Sequence, residues 1–481
     1  MNIAIVLKVL GILLLCVAVS MFPSLIVALL YGEKTAFAFL LSILAAGIAG
    51  FLLFSVKVRE DVIRYREGFA VVSLGWLSAS IFGALPFLFA GVFSSFLDAF
   101  FESVSGFTTT GATVLQDLEM LPYSLLFWRS FTHWLGGMGI LVLALAVQPA
   151  LGIGTLQILK AEFPGPISAK LTPRVSGTAK ILYKTYLTIT AVQVFFLLLG
   201  GMPLYDSLIH AFGTLGTGGC SLKNASVGAY NNIYYEIVII VFMILAGVNF
   251  ALYYLAFKKK SLMEFFRNKE FKVYLSIIAV YMIIITININ GRVFPTLLES
   301  FRYASFQVAS IITTTGYTTA DFDLWPDLSR ALLLSLMFIG ACAGSTSGSV
   351  KIIRIILIFK YVQQEINSLL HPHAVKAVKI GDMPVQGSVL SNVMGFTVLY
   401  LAIFVLATLL ILTQGLDLVS AAAAVAACLG NIGPGLGAVG PSSTYANLTN
   451  LTKIILSFCM ILGRLEIYTV LALLFPRSWK K

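Results

Sequence analysis

The sequence LLESFRYASFQVASIITTTGYTT occupies residues 297–319, and it decides the fold. A mostly apolar stretch leads into a Thr-Thr-Thr-Gly-Tyr cluster. The stretch is too apolar for a solvated loop, and it is shorter than the roughly 20 residues that a spanning helix needs. Irregular backbone is tolerated at membrane depth only where it is buried in protein or lines a water-filled path. The segment therefore predicts a re-entrant helix followed by a loop that lines such a path.

Three other segments share this pattern, and their spacing indicates an internal repeat. They are residues 96–115 with TTTGA, residues 204–222 with LGTGG, and residues 416–439 with GNIGP. If Gly111, Gly218, Gly316 and Gly433 are equivalent, the separations are 107, 98 and 117 residues. A recurring period indicates one structural unit that is built several times around a shared feature. We therefore expect four units around a pseudo-fourfold pore.

The composition places this repeat in a membrane. Of the 481 residues, 59% are hydrophobic and 11% are charged, against about 45–50% and about 25% in soluble domains. This composition excludes an ordinary soluble enzyme. The apolar runs predict ten spanning helices, at residues 3–31, 35–56, 69–92, 124–147, 179–202, 233–257, 273–290, 330–359, 390–413 and 452–475.

The basic residues predict the orientation of these helices. If the N-terminus is cytoplasmic, 24 of the 32 Lys and Arg residues fall on the inner side and seven on the outer side. An excess of basic residues in cytoplasmic loops is the usual signal of topology. We therefore expect both termini in the cytoplasm. The outer side would carry an acidic rim that attracts cations, which includes Asp98, Glu102, Asp117, Glu119, Asp321, Asp323 and Asp327. The alternative is that these residues cap the re-entrant helices.

The predicted fold class is an all-α polytopic membrane protein in which each repeat has a helix, a re-entrant pore helix with its loop, and a second helix. The first two helices stand outside the repeats. The expected units are an N-terminal hairpin at 1–66 and repeats at 67–155, 156–260, 261–372 and 373–481. The third repeat contains the sequence GACAGSTSGSVK at residues 340–351. Gly and Ser pairs break the helical hydrogen-bond ladder, so this stretch interrupts a span. A kink that small residues pack is the alternative.

The four Gly segments have the chemistry of a cation filter. A filter replaces the hydration shell of an ion with rings of backbone carbonyls, and Gly permits the conformations that aim successive carbonyls at one axis. For a single Thr-Thr-Gly segment, a helix cap or a turn is the alternative, and four segments at similar spacing favour the filter. The candidate ion-binding residues are Thr109, Thr110, Gly111, Gly216, Thr217, Gly218, Thr314, Thr315, Gly316, Asn431, Ile432 and Gly433.

The segments SGFTTTGAT (105–113), TTTGY (313–317) and NIGPG (431–435) resemble the pore loops of the Trk/Ktr/HKT superfamily of potassium transporters. HWLGGMG (133–139) and GRLE (463–466) add to the resemblance, which covers essentially the whole chain. The ten-helix form with a leading hairpin is similar to the bacterial TrkH type. This resemblance implies that the equivalent glycines line a selectivity filter. It also implies permeability to potassium, because a Ser in the first loop would favour sodium.

The resemblance also implies a gate. The 340–351 stretch would be an intramembrane loop that blocks the pore below the filter and moves to open it. Its candidate gate residues are Gly340, Gly344, Ser345, Thr346, Gly348, Lys351 and Arg464. A lone charge within a span is costly and is usually kept for function, and in this family the arginine that corresponds to Arg464 projects toward the permeation path. A structural ion pair is the alternative for Arg464, and a positive-inside anchor is the alternative for Lys351.

The predicted function is uptake of potassium, or of monovalent cations, across the bacterial cytoplasmic (inner) membrane. The resemblance implies a homodimer and a cytoplasmic nucleotide-binding regulatory subunit of the TrkA/KtrA type. Potassium is the transported ion. No enzymatic cofactor and no enzyme activity are expected, because no constellation of catalytic residues stands out. The alternative is a polytopic membrane enzyme or lipid-handling protein whose Gly-rich loops only pack helices.

Overall fold

The computed structural model of the chain describes residues 1–58, 65–139, 175–371, 378–380, 383–465 and 467–474. Glu466, the boundary between the first two predicted repeats at residue 155 and the end of the predicted span 124–147 lie outside these residues. Twenty α-helices are present in this part of the chain. They are α1 (Ile3–Ser20), α2 (Phe22–Leu30), α3 (Thr35–Phe54), α4 (Tyr65–Gly83), α5 (Leu85–Phe89), α6 (Phe96–Phe107), α7 (Tyr123–Gly137), α8 (Val175–Leu199), α9 (Leu204–Leu215), α10 (Ile233–Ala246), α11 (Phe250–Lys259), α12 (Met263–Arg267), α13 (Lys269–Ile289), α14 (Leu297–Ile312), α15 (Asp327–Ile339), α16 (Ile352–Leu370), α17 (Gly387–Leu412), α18 (Leu418–Leu429), α19 (Asn450–Leu465) and α20 (Ile467–Leu474).

The helices confirm the predicted all-α class. A two-stranded antiparallel ribbon, β1 (Lys379–Ile380) and β2 (Met383–Pro384), is the sheet structure within the described residues. It lies near the start of the fourth predicted repeat, before α17. The predicted pore therefore consists of helices and the loops between them.

Six continuous helical segments in the described chain are long and apolar enough to span a membrane: Ile3–Leu30, Thr35–Phe54, Arg66–Phe89, Gly177–Leu199, Lys269–Ile289 and Gly387–Leu412. Two further spans are broken, and in one of them α10 and α11 meet at 90°. The prediction of one straight helix over residues 233–257 is therefore wrong. The predicted span 330–359 is divided into α15 and α16 by the 340–351 loop, as expected from its Gly and Ser content.

Apolar side chains on the outside of the bundle support a membrane location. Helix α17 is strongly apolar, yet only 28% of its most apolar stretch is buried against protein. Large side chains such as Val398, Leu401 and Leu406 are at least half exposed. Monomeric soluble proteins rarely expose apolar patches of this extent. These surfaces suit the hydrocarbon of a bilayer.

The N-terminal helices form a close hairpin. Helix α1 crosses α3 where Gly11 faces Gly50, and a Cβ added to Gly11 would lie 2.7 Å from the Gly50 carbonyl oxygen. Small residues let the backbones of membrane helices approach closely. The amide of Asn2 donates to the Glu67 carboxylate over 2.9 Å and joins the start of α1 to α4. The hairpin is thus docked on the first repeat.

Four short helices point inward and form the centre of the bundle. Helices α6, α9 and α18 contain 12 residues each and α14 contains 16. At 1.5 Å per residue, a 12-residue helix covers about 18 Å, which is too short to cross a membrane. The second half of each helix is buried in protein. These four helices are the predicted re-entrant helices, and their C-terminal ends meet at the candidate site.

Candidate functional site

The four re-entrant helices end in the same backbone conformation. The capping residues Thr108, Gly216, Thr313 and Gly430 are right-handed helical. The next residues all have left-handed φ angles: 57° for Thr109, 54° for Thr217, 57° for Thr314 and 55° for Asn431. Left-handed backbone is uncommon for residues that carry a side chain, and β-branched Thr makes it rarer. Four repetitions of this conformation indicate one loop design, and we call residues 108–111, 216–219, 313–316 and 430–433 the central loops.

The last residue of each central loop is a glycine with positive φ. The angles are 79° at Gly111, 67° at Gly219, 85° at Gly316 and 99° at Gly433. The preceding residue in each loop donates its amide to a carbonyl five residues back, as Thr110 does to Ser105 and Gly218 does to Gly213. The prediction that Gly218 is equivalent to Gly111 is therefore wrong by one residue. Gly219 holds that position, because two consecutive glycines made the register ambiguous in the sequence.

The four glycines close a ring of backbone contacts around one axis. A Cβ added to Gly111 would lie 2.3 Å from the carbonyl oxygen of Gly218, and one added to Gly219 would lie 2.2 Å from that of Thr315. For Gly316 the neighbour is the Ile432 carbonyl at 2.0 Å, and for Gly433 it is the Thr110 carbonyl at 2.7 Å. Each glycine thus contacts the next loop in chain order, and the fourth contacts the first. We call this arrangement the central ring.

Gly218 has a different reason to be glycine. A Cβ at this position would lie 1.5 Å from Nδ1 of His133, a buried residue of α7. The other loops carry Thr110, Thr315 and Ile432 here, so the backbone itself accepts a side chain. His133 occupies the space in the second loop, and its Nε2 lies 3.1 Å from the Cys220 sulfur.

Side-chain hydroxyls brace the first and third central loops in the same way. Thr108 and Thr110 are joined by a 2.8 Å hydrogen bond between their hydroxyls, and so are Thr313 and Thr315. The fourth loop differs, because the Asn431 amide donates to the Thr110 hydroxyl and to the Met460 carbonyl, both over 2.9 Å. The Thr and Asn side chains therefore support neighbouring backbone. The carbonyls supply the oxygen groups that are repeated in all four loops.

A cavity of about 150 Å³ opens on one side of the ring, and no residue of the 340–351 loop lines it. All four ring glycines line it, whereas Gly216 and Gly218 do not. Two tyrosine hydroxyls bind backbone carbonyls close to the cavity. Tyr445 donates to the Gly433 carbonyl over 2.7 Å, and Tyr317 donates to the Cys220 carbonyl over 3.0 Å. The cavity and the ring together make a mouth that leads to backbone oxygens.

The predicted acidic rim is largely engaged in structural contacts. Glu102 is buried and paired with Arg129, and Asp98 accepts from Lys453 over 2.6 Å. Asp323 pairs with Arg330 and also accepts from the Gly437 amide. The Asn224 side chain lowers the pKa of Asp117, because its amide donates to the carboxylate. Ion pairs and hydrogen bonds within the protein therefore engage much of the negative charge that the sequence predicted at the mouth of the pore.

The 340–351 loop contacts the opposite end of the central loops, where they leave their helices. The Thr217 hydroxyl donates to the Thr346 carbonyl over 3.0 Å, and the Gly348 amide donates to the Thr314 hydroxyl over 2.8 Å. The Ser349 hydroxyl donates to the Gly430 carbonyl over 3.2 Å. A Cβ on Gly348 would lie 2.3 Å from the same carbonyl. The loop thus lies directly against three of the four central loops.

The break between α10 and α11 makes room for this loop. The Cys342 amide donates to the Gly247 carbonyl and the Phe250 amide donates to the Gly344 carbonyl, both over 3.0 Å. Asn249 caps α11 through the Ala251 amide, and a Cβ on Gly344 would lie 2.9 Å from its Oδ1. Gly340 and Gly344 have φ angles of 71° and 74°. Backbone groups freed by the bend in one repeat are therefore satisfied by the loop of the next.

Arg464 holds the loop through backbone carbonyls. Its guanidinium donates to the Thr346 carbonyl over 2.7 Å and to the carbonyls of Gly136 and Gly137 at the end of α7. The Lys351 ammonium donates back to the carbonyl and the hydroxyl of Ser347. Arg464, from another helix, and Lys351, from within the loop, thus both bind carbonyl groups of the 340–351 loop. Ser345 donates to the Cys342 carbonyl over 2.6 Å, within the same loop.

Several residues of the site were not predicted from the sequence. Oε1 of Glu270 accepts from the amides of Ala343 and Ile353, over 2.7 and 3.2 Å, and so ties both ends of the loop to α13. A buried acid at the start of an apolar span is a signal that could have identified it. His133 belongs to the HWLGGMG stretch, but its contacts with Gly218 and Cys220 were not predicted, because those residues are distant in the chain. Asn249 and Tyr445 gave no comparable signal in the sequence.

This geometry defines a class: a polytopic membrane protein in which four re-entrant loops surround one axis and a fifth loop lies against their helix-proximal end, away from the cavity. A family model described as TrkH, Cation transport protein, matches residues 35–481. The chain belongs to this family. No cluster of three or more metal-ligating side chains occurs among the residues that the structure describes.

Individual relatives match over essentially the whole chain. The Trk system potassium uptake protein TrkH of Halomonas elongata is 37% identical, with 100% of both chains covered. The protein of that name from Salmonella typhimurium is 38% identical over 98% of this chain and 99% of its own. The crystal structure of the potassium transporter TrkH from Vibrio parahaemolyticus superposes with a TM-score of 0.90 at 35% identity, over 100% of both chains.

These matches confirm the predicted family and fold. They are matches to transport proteins, in agreement with the prediction that the chain is not an enzyme. The alternative of a membrane enzyme or lipid-handling protein has no support in them.

Proposed function

We propose that the chain carries potassium ions into a bacterial cell across the cytoplasmic membrane. The central ring is the observation that carries this proposal. Four loops present carbonyl oxygens of Thr110, Gly218, Thr315 and Ile432 against the glycines of their neighbours. Hard alkali cations prefer oxygen ligands, and rings of carbonyls replace their hydration shell. The names of the relatives, which are potassium uptake proteins, support potassium as the ion.

The proposed filter consists of the central loops, with Gly219 added to the residues predicted from the sequence. Close backbone contacts leave no room for a side chain at the ring glycines, so the ring keeps one diameter. The division into an N-terminal hairpin and four repeats belongs to the same proposal. It is supported by the recurrence of one loop conformation in α6, α9, α14 and α18.

The 340–351 loop is the proposed gate. It contacts Thr217, Thr314 and Gly430, at the end of the central loops that does not line the cavity. Gly340, Gly344 and Gly348 give it a backbone that can rearrange, and Ser345, Thr346, Lys351 and Arg464 hold it in the observed position. Displacement of the loop would open the inner end of the path.

The assembly and orientation are also proposed. Both termini would be cytoplasmic, which the basic inner loops support. A homodimer and a cytoplasmic nucleotide-binding regulatory subunit follow from the family resemblance. An epitope after Lys481 that antibodies reach only in permeabilised cells would agree with this orientation, and one that they reach in intact cells would contradict it.

Rubidium uptake into proteoliposomes tests the filter. We expect Gly316→Ser and Gly433→Ser to lose most of the uptake or its selectivity over sodium, because each new Cβ meets a carbonyl of the next loop. Gly201→Ser is the matched control. Its φ is 86°, against 85° for Gly316, but no atom lies within 4 Å of its Cβ position.

The control separates backbone strain from loss of the ring. If all three variants fold and transport with unchanged selectivity, the filter assignment is wrong. Equal losses in Gly316→Ser and Gly201→Ser would attribute the effect to strain alone.

A further inference from the structure

The position five residues before the end of each re-entrant helix differs among the four repeats. It is Glu102 in α6, His210 in α9, Gln307 in α14 and Ala424 in α18. In three repeats this side chain forms a hydrogen bond with the segment of chain that follows the central loop. Thr113 donates to Glu102, His210 lies 3.3 Å from the Ser221 hydroxyl, and Gln307 donates to Thr319 over 3.4 Å. Only the first repeat carries a charge at this position.

That charge is one half of a buried ion pair. The Arg129 Nε atom lies 2.5 Å from Glu102 Oε1, and the two side chains are 6% and 2% exposed. The other carboxylate oxygen of Glu102 accepts from the Thr113 hydroxyl over 3.0 Å and from the Val114 amide over 3.1 Å. In the third repeat a neutral glutamine, Gln307, binds the segment that follows the central loop without a charge. Attachment of that segment to the re-entrant helix therefore does not by itself require an ion pair.

The cavity at the outer mouth supplies a reason for the pair. Arg129 lines this cavity, whereas Glu102 lies behind it. The charged side chains among the lining residues are Arg129 and Lys223, and both are basic. Lys223 is 44% exposed and faces Glu119 at 3.6 Å, so water screens its charge. Arg129 is buried and lines the same cavity as the ring glycines, so its charge is screened much less.

We propose that Glu102 neutralises Arg129 and thereby sets the cation concentration at the mouth of the filter. This inference rests on the proposed function. An uncompensated guanidinium in the cavity wall would repel a cation before it reaches the ring, because a cleft with low-dielectric walls focuses the field of its charges. Glu102 is thus an electrostatic positioning residue that touches no ion. The Glu102–Arg129 pair thus affects how readily a cation enters the mouth, and the filter determines which cation passes.

The test is radioactive rubidium uptake as a function of external concentration. It uses intact cells that lack other potassium uptake systems and carry the full chain with its native partners, at pH 8. Glu102→Gln should raise the apparent KM by about threefold or more. Arg129→Gln should lower it by about twofold or more, since a carboxylate is then left behind the wall. The double variant should return to within about twofold of the wild type.

The opposite signs distinguish electrostatics from a clamp. If the pair only braces Thr113 and Val114, both single variants raise KM or reduce Vmax alike, and the double variant does not recover. That result would overturn the proposal, and so would an unchanged KM in Arg129→Gln. Each single variant leaves a buried charge unpaired, which destabilises proteins strongly. If either one does not reach the membrane, the double variant still decides the outcome, because it removes both charges and should keep its KM within about twofold of the wild type.

Glu236→Gln is the matched control. Glu236 is 2% exposed and accepts two 2.6 Å hydrogen bonds from Arg302, so it forms a comparable ion pair. Neither residue lines the cavity. We expect its KM to stay within about 1.5-fold of the wild type, and an equal rise in both Glu→Gln variants would overturn the electrostatic assignment. Failure of the proposed function can be distinguished from failure of this inference, because cells that carry the wild-type chain would then show no rubidium uptake above cells without it.

Discussion

The central ring and the 340–351 loop are both built from glycine and hydroxyl residues, but they are held in different ways. The ring glycines abut backbone carbonyls of the next loop, and a Cβ would lie within 2.7 Å of them. The 340–351 loop has one such close contact, between Gly348 and the Gly430 carbonyl. Its other contacts are individual hydrogen bonds with residues of other elements, among them Glu270, Thr217 and Arg464. Close-packed backbone has one arrangement, whereas a set of separate hydrogen bonds, each of about 1 kcal/mol, can be exchanged. Rigidity therefore suits the ring to selection, and detachability suits the loop to gating.

The largest expected effect concerns the register of the second central loop. Gly218→Ala should abolish most of the uptake, because its Cβ meets His133, and the double variant Gly218→Ala with His133→Ala should restore a large part of it. Gly219→Ala should also abolish uptake, but His133→Ala should not restore it, since the obstacle is the Thr315 carbonyl. Rubidium uptake by the purified variants measures both pairs. Rescue of Gly219→Ala by His133→Ala would contradict the register.

A shortened 340–351 loop should have the next largest effect. Deletion of residues 344–347 removes the Thr346 carbonyl, which accepts from Thr217 and Arg464, and the Gly344 carbonyl, which accepts from Phe250. Loss of three such bonds, at about 1 kcal/mol each, should raise uptake by about a hundredfold, because each 1.4 kcal/mol is a factor of ten in an equilibrium. The comparison requires size-exclusion profiles that show intact folding. Lower uptake by a folded deletion variant would exclude a gate that blocks the path.

The smallest effect should come from single contacts of the loop. Arg464→Gln loses the charge-assisted bond to the Thr346 carbonyl, and we expect about a tenfold rise in uptake, since such a bond contributes about 1.5 kcal/mol or more and each 1.4 kcal/mol is a factor of ten. Glu270→Gln keeps an oxygen that accepts from Ala343 and Ile353, so its rise should be about twofold or less. Initial rates at saturating rubidium measure both. A larger rise in Glu270→Gln than in Arg464→Gln would reverse the assigned importance of the two anchors.

Much of the fold was predictable from the sequence because its signals are local. Apolar runs with few charges predicted the spanning segments, and the recurrence of short apolar stretches before Gly and Thr clusters predicted four re-entrant helices. The Gly and Ser content of residues 340–351 predicted the break in the eighth span. The 90° bend after Ala246 was not predicted, because its freed backbone groups are satisfied by Cys342 and Gly344, about 95 residues away.

The candidate site was predictable in residue type and only partly in register. Thr109, Gly111, Thr314 and Gly316 fall where their repeats predicted, because each loop contains one glycine at its end. In the second loop the sequence offered three glycines for one position, and the repeat spacing does not distinguish Gly218 from its neighbour Gly219. The choice depends on which carbonyl lies opposite, and that carbonyl, Thr315, belongs to another repeat.

The sequence by itself determined that this is a membrane protein with four similar inward loops, because hydrophobicity and chain reversal are properties of short segments. Only the tertiary structure decided that the loops close into a ring and that Gly219 is the second member. It also decided that Glu102 forms a buried ion pair with Arg129 instead of contributing its charge to the acidic rim. These facts depend on contacts between residues that are up to several hundred positions apart, and such contacts exist only once the repeats have packed around a common axis.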